Sequence, residues 1–217
     1  FDWAGAERAF RQALSINSTH VNALHWYSHL LSWQGKPDDA ITSARLAVSA
    51  DPLSILARTN LNYVLLDARR WDEAVPMIDS ITDEAPYLSL QRNNWIGLLR
   101  ARRGQEAANL LVSWAGNDGR DIEAAAALGA LFVQALDAGE SVEIDSELLT
   151  RLEIRAEAAE VYAALGDADN TILALQEASR AASGFRSLLS MKINPSYDFV
   201  RDDPRFVELT RLVGLTD

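Results

Sequence analysis

The sequence contains no cysteine, which excludes disulfides, thiolate metal sites and cysteine nucleophiles. It has almost no lysine: Lys36 and Lys192 are the only two, and the other 18 of its 20 basic residues are arginines that form no long run. Against 31 acidic residues this leaves a net charge of −11. Binding a phosphate backbone needs clustered Lys and Arg, so nucleic acid is not an expected partner of this chain. The acidity suits a basic partner or, more plainly, a well-solvated surface. No apolar run approaches the ~20 residues that cross a bilayer, so no membrane segment is expected. There is no Gly-x-Ser-x-Gly and no phosphate loop, and the carboxylate pairs stand at ordinary helix-surface spacing; the chain is not expected to be an enzyme. No signal-peptide pattern is visible, and Phe1 is not an initiator methionine. The chain reads as part of something longer that begins inside a repeat. Cytoplasmic placement is favoured, and an upstream membrane span would move it to the periplasm. Only six prolines and abundant Ala and Leu favour helix over strand.

What is present is a period. Ala6, Ala40, Ala74 and Ala108 stand 34 residues apart. So do Pro52 and Pro86, then Tyr27, Leu61 and Trp95, then Leu31, Leu65 and Leu99. A fixed spacing in the thirties with helical texture signals an array of helix pairs. With 48% hydrophobic residues, the chain has enough apolar surface for a continuous core.

The pattern predicts helices over 2–16, 21–34, 54–69, 71–83 and from Pro86 to about Arg103, with a second helix on to Ala115. Asn17-Ser18-Thr19 is expected to cap the helix at Val21. Gly35-Lys36-Pro37 is a turn, with Asp38 and Asp39 favouring the helix start that follows. Pro76 is expected within the first turn or so of its helix. Ala40, Ala44 and Ala47 give one second helix a small-residue face, and Ala74, Ile78 and Ile81 point inward from the next. Gly104 stands one place later than Gly35 predicts, and Arg69 occupies the equivalent place between them. Beyond Asn117-Asp118-Gly119 the register is lost. Helices are expected over 121–137, 146–165 with Asp145 as cap, 168–182 and 206–213. The stretch from Lys192 to Phe206, rich in aromatics, Pro and Asp, suits a terminal cap over a last apolar face.

The columns Tyr27/Leu61/Trp95, Ala40/Ala74/Ala108 and Ala47/Ile81/Ala115, with the spaced prolines, resemble the tetratricopeptide repeat over residues 1 to about 116. The resemblance implies an all-α fold: a right-handed superhelix of antiparallel helix pairs, with a concave groove that binds peptides or protein segments. It divides the chain into regular repeats at 1–116, degenerate or additional helical repeats at 117–183 and a capping segment at 184–217, all in one continuous solenoid. The tail, the opening Phe1-Asp2-Trp3-Ala4-Gly5-Ala6-Glu7 and the His25-Trp26-Tyr27 stretch resemble the C-terminal repeat regions of bacterial winged-helix transcriptional regulators and nucleotide cyclases. That implies a regulatory or sensing part of a signalling or transcription-regulating protein.

With Leu24, Tyr27 and Leu31 inward, Asn22, His25, His29, Ser32 and Trp33 fall on the other side of their helix. The same phase selects Leu56, Thr59, Tyr63, Leu66 and Asp67 in the next copy, then Leu90, Asn93, Gly97 and Arg100. In the resembled family that side lines the groove, so Asn22, His25, His29, Trp33, Thr59, Tyr63, Leu66, Asn93 and Arg100 are the expected peptide-binding residues. Amides there can bond a peptide backbone and aromatics can hold its side chains. The family's clamp for acidic tails is absent: His25 and His29 stand for its leading Lys and Asn, Asn60 matches a second asparagine, and Leu90 and Asn94 occupy places that need basic groups. His25 and His29, four apart, share a helix face and make half a metal site. No third ligand has a recognisable spacing, and no metal or other cofactor is expected. Two rivals stand beside the scaffold reading: a small-molecule or metal sensor with an enclosed pocket, and a homo-oligomer formed through an uncovered face at Phe10 and Leu14.

Overall fold

A computed structural model describes residues 2–84, 91–180 and 188–215, with side chains from residue 94 onward in the second stretch. Among these residues the regular structure is helical throughout and there is no strand. The chain divides into two units, Phe1–Ala85 and Pro86–Asp217. The expected copy boundary at Pro86, Leu90 and the side chain of Asn93 lie outside the described residues.

Unit 1 contains α1 (Trp3–Ile16), α2 (Val21–Trp33), α3 (Pro37–Ala50), α4 (Ile55–Asp67) and α5 (Trp71–Glu84). Each packs on the next, and α2 also touches α4. The starts of α1, α3 and α5 fall at residues 3, 37 and 71, keeping the 34-residue period. The small column explains the packing. Ala40, Ala44, Ala47 and Ala74 are fully buried, and side chains this small let α3 and α5 lie close against α2 and α4. Leu31, Ile41, Leu61, Val64, Leu65 and Leu66 fill the core around them. Phe10 packs on Tyr27, with 6.0 Å between ring centroids, and Leu14 packs against the Leu24, Ala47 and Ala57 cluster, so both are half-buried on α2.

The helix starts correct one expectation. Residues 17–19 do not cap α2; the His20 ring does, its Nδ1 accepting from the Ala23 N–H at 3.2 Å. Ser54 does the same for α4, 34 residues on. Pro76 lies in the second turn of α5 rather than the first.

Unit 2 contains α6 (Gln91–Arg100), α7 (Gly104–Asn117), α8 (Ile122–Phe132, running into a π-turn at Val133–Asp137), α9 (Ser146–Leu152), a 3₁₀ turn (Arg155–Glu157), α10 (Ala158–Ala164), α11 (Ala168–Arg180), a second 3₁₀ turn (Pro195–Val200) and α12 (Pro204–Leu212). Trp95, in the Tyr27 column, is fully buried and stacks on Phe132 at 6.2 Å. Asp137 turns back to accept from the backbone N–H groups of Gly104 and Gln105, at 3.0 and 2.8 Å, which caps α7. Helix α8 is thus the packing partner of α7. The single helix expected over 146–165 is broken in two. Glu153 takes a left-handed conformation, φ 55°, and the Ile154 N–H returns to the Leu149 carbonyl. The break places Leu149, Leu152 and Ile154 all inside. In the tail, the Arg201 guanidinium bonds the carbonyls of Met191, Lys192 and Asn194, tying an otherwise irregular segment together.

Candidate functional site

The expected binding residues on α2 and α4 meet in one cluster of rings. His25, His29 and Trp33 recur every four residues, so they stand above one another on one face of α2. His25 and His29 are 5.1 Å apart by ring centroid. His29 stacks on Trp33 at 5.4 Å, 17° from parallel. Tyr63 meets His29 edge-on from α4, at 6.4 Å. Sequence phase left Trp26 and Trp3 out of this group, and the structure adds both. Trp26 lies 5.0 Å from His25 and 5.8 Å from His29, and Trp3 sits edge-on to Trp33 at 6.5 Å. The signal for Trp3 is its place at the start of α1, one period before Pro37, where its ring lies against the end of α2.

Exposure divides the cluster. His29 is buried, His25, Trp33 and Tyr63 are half-buried, and Trp26 keeps 54% of its surface in solvent. Asn22, one turn before Trp26, is exposed. The outer edge of α2 therefore carries a large ring in water, held from beneath by imidazoles.

Other expected residues sit elsewhere. Thr59 and Leu66 are buried: Leu66 belongs to the core with Leu31, Ala40 and Ala74, and Thr59 lies inside α4's covered side. Arg100, on α6 in unit 2, is buried and gives its guanidinium to Glu160 in a two-pronged pair, Nε to Oε2 at 2.7 Å and Nη2 to Oε1 at 2.9 Å. Sixty residues separate the two, and no local spacing points from one to the other.

Between α2 and α4 lies a polar seam. Asn60 donates to the Ser28 hydroxyl at 2.9 Å, and Ser32 donates to Asp67 at 3.3 Å. Asn62 of α4 bonds away from this seam, donating to the Ala74 carbonyl of α5 at 2.6 Å. Among the described residues, Thr59 Oγ1 and Asn60 Oδ1 are buried without a hydrogen-bond partner. Buried polar pairs fix which residues lie opposite one another, since a shifted register leaves donors unmatched at a cost of about 1–3 kcal/mol each. The seam therefore holds His29 against Tyr63.

Among the described residues no three His, Asp or Glu side chains converge as metal ligands. What the arrangement can do is bind: aromatic faces and imidazole N–H groups suit an apolar or cationic side chain and a peptide backbone. No protein-family model matches the sequence, and no curated protein matches it significantly. Among the described residues no helix is long and apolar enough to cross a membrane.

Proposed function

We propose that the chain is a tetratricopeptide-type helical-repeat module, a right-handed superhelix of antiparallel helix pairs, that holds a peptide segment of a partner protein. The segment lies on the Trp26–His29–Tyr63 face. Support for the repeat comes from the helix starts at 3, 37 and 71 and from the alanine column buried between the paired helices. Support for binding comes from one observation, the half-exposed Trp26 ring braced by His25 and His29. A solvent-facing tryptophan on a rigid support is the kind of anchor that dominates protein interfaces. The likeness of the tail and opening stretch to regulatory repeat regions supports reading the module as part of a bacterial signalling or transcription-regulating protein.

A displayed peptide library selected on the whole chain tests the binding reading. Selected peptides should lose about tenfold or more in affinity on Trp26→Ala, the loss of one anchor residue. They should be indifferent to Leu46→Ala, which removes an equally exposed apolar side chain from α3. If no peptide is selected, or if both substitutions act alike, the face is not a binding site.

A further inference from the structure

A concavity lies wholly within unit 2. It is a cleft of about 640 Å³ bounded by α9, the 3₁₀ turn at Arg155, α10 and α11. Its size falls in the ~300–1,000 Å³ range of small-molecule sites. Leu149 and Leu173 give it apolar lining, and Tyr162 lines it from α10.

Two lining residues carry opposite charges. Seven arginines of unit 2, at 100, 103, 120, 151, 201, 205 and 211, each hold a carboxylate. Arg155 lines the cleft and holds none among the described residues. Glu177, also in the lining, has no hydrogen bond or ion pair there either. The two are not each other's partners, so each offers its charge to whatever enters. The Tyr162 hydroxyl makes no hydrogen bond among the described residues. Burial first, and then the negative charges of Asp167, Glu177 and Asp145, hold the phenol above its ordinary range. A protonated phenol under negative potential favours a cation beside it, with Glu177 as counter-charge. Arg155 stands in the 3₁₀ turn that precedes α10, seven residues before Tyr162, so it serves a different part of the cleft.

We infer that this cleft binds a short zwitterionic peptide with apolar side chains. The α-ammonium group is held by Glu177 and Tyr162, the α-carboxylate by Arg155, and the side chains lie on Leu149 and Leu173. A sugar or a neutral lipid leaves both charges unmatched, and a simple anion or cation leaves one. The site is separate from the α2–α4 face and stands or falls independently of it.

Calorimetric titration of the whole chain with leucyl-leucine, its N-acetyl form and its C-terminal amide tests the assignment. Leucyl-leucine should bind saturably, and each blocked form about tenfold or more weakly. Glu177→Gln should weaken leucyl-leucine and the amide while leaving the N-acetyl form unchanged, and Arg155→Gln should weaken leucyl-leucine and the N-acetyl form while leaving the amide unchanged. Arg155 and Glu177 are exposed, so neither substitution threatens the fold. The inference is overturned if none of the three binds at millimolar concentration. It is equally overturned if the three bind alike, or if the two substitutions weaken every probe equally.

Discussion

Glu160 presents both carboxylate oxygens to Arg100, and the two side chains are only 10% and 4% exposed. The surface pairs, such as Arg103–Glu106 and Arg211–Glu208, are about half in water and contribute little. The buried pair is different, because removing one partner leaves a desolvated charge behind. Glu160→Ala should therefore cost about 3 kcal/mol in chemical denaturation. The double substitution Arg100→Met, Glu160→Leu should recover part of that loss, since it removes both members of this pair. A double variant as unstable as the single one would mean that the pair acts through geometry rather than charge. His20 makes the opposite case among single residues. An imidazole is a modest helix cap, and Asp would accept the same Ala23 N–H while placing a negative charge at the positive end of α2.

The helix corners show one device used with different residues. Gly35, Arg69 and Arg102 all adopt the left-handed conformation, at φ 72°, 58° and 57°. In each, the following residue returns a hydrogen bond to the helix: Lys36 to Leu31, Arg70 to Leu65, Arg103 to Leu98. Ala68-Arg69-Arg70 and Ala101-Arg102-Arg103 are thus the same corner, one residue out of the strict period. Gly104 is not the displaced turn glycine. It opens α7, where an added Cβ would stand 2.6 Å from the Phe132 carbonyl and 2.9 Å from the Asp137 carboxylate. The two residues should respond oppositely to substitution, as thermal melts can show. Arg102→Gly relieves a side chain held at positive φ and should stabilise by about 1 kcal/mol or slightly less. Gly104→Ala pushes away the Asp137 cap and should destabilise by about 1–3 kcal/mol. These corners mark where the sequence stops being legible. The alanine and leucine columns were readable because burial on paired helices forces small and apolar residues into a period. The start of the ring cluster was readable from the four-residue spacing of His25, His29 and Trp33. The left-handed arginines, the break at Glu153 and the Arg100–Glu160 pair were not, because each depends on contacts formed only after folding. Thr59 and Leu66 share the phase of Tyr63 yet are covered, since helix phase alone does not say which neighbour lies above a residue.

Over the whole molecule, charge and ion pairing pull stability in opposite directions as pH falls. At pH 7 the chain carries −11, and this self-repulsion eases as pH approaches the isoelectric point near 4.7. Against it stand carboxylates held below their usual range by their partners. Glu7 is lowered first by Arg11, Glu84 by Arg58, Asp203 by Arg205 and Glu208 by Arg211. Asp121 is lowered first by the Ala124 N–H it caps and then by Arg151. A carboxyl whose folded pKa is depressed adds stability that is complete above its unfolded value, about 4, and that disappears as pH drops through the folded value. None of these carboxylate contributions is lost between pH 7 and 5, while the repulsion eases. The melting temperature should therefore rise slightly from pH 7 to a maximum between about 5 and 6, then fall steeply below about 4. Salt separates the two effects. At roughly 0.5 M NaCl the rise should flatten, because the Debye length shrinks below the spacing of most surface charges, and the acid fall should become shallower as the exposed pairs are screened. Asp121→Asn should reduce the acid fall without moving the maximum. A melting temperature that declines steadily from pH 7 downward would show that repulsion among the acidic residues is not what limits this fold.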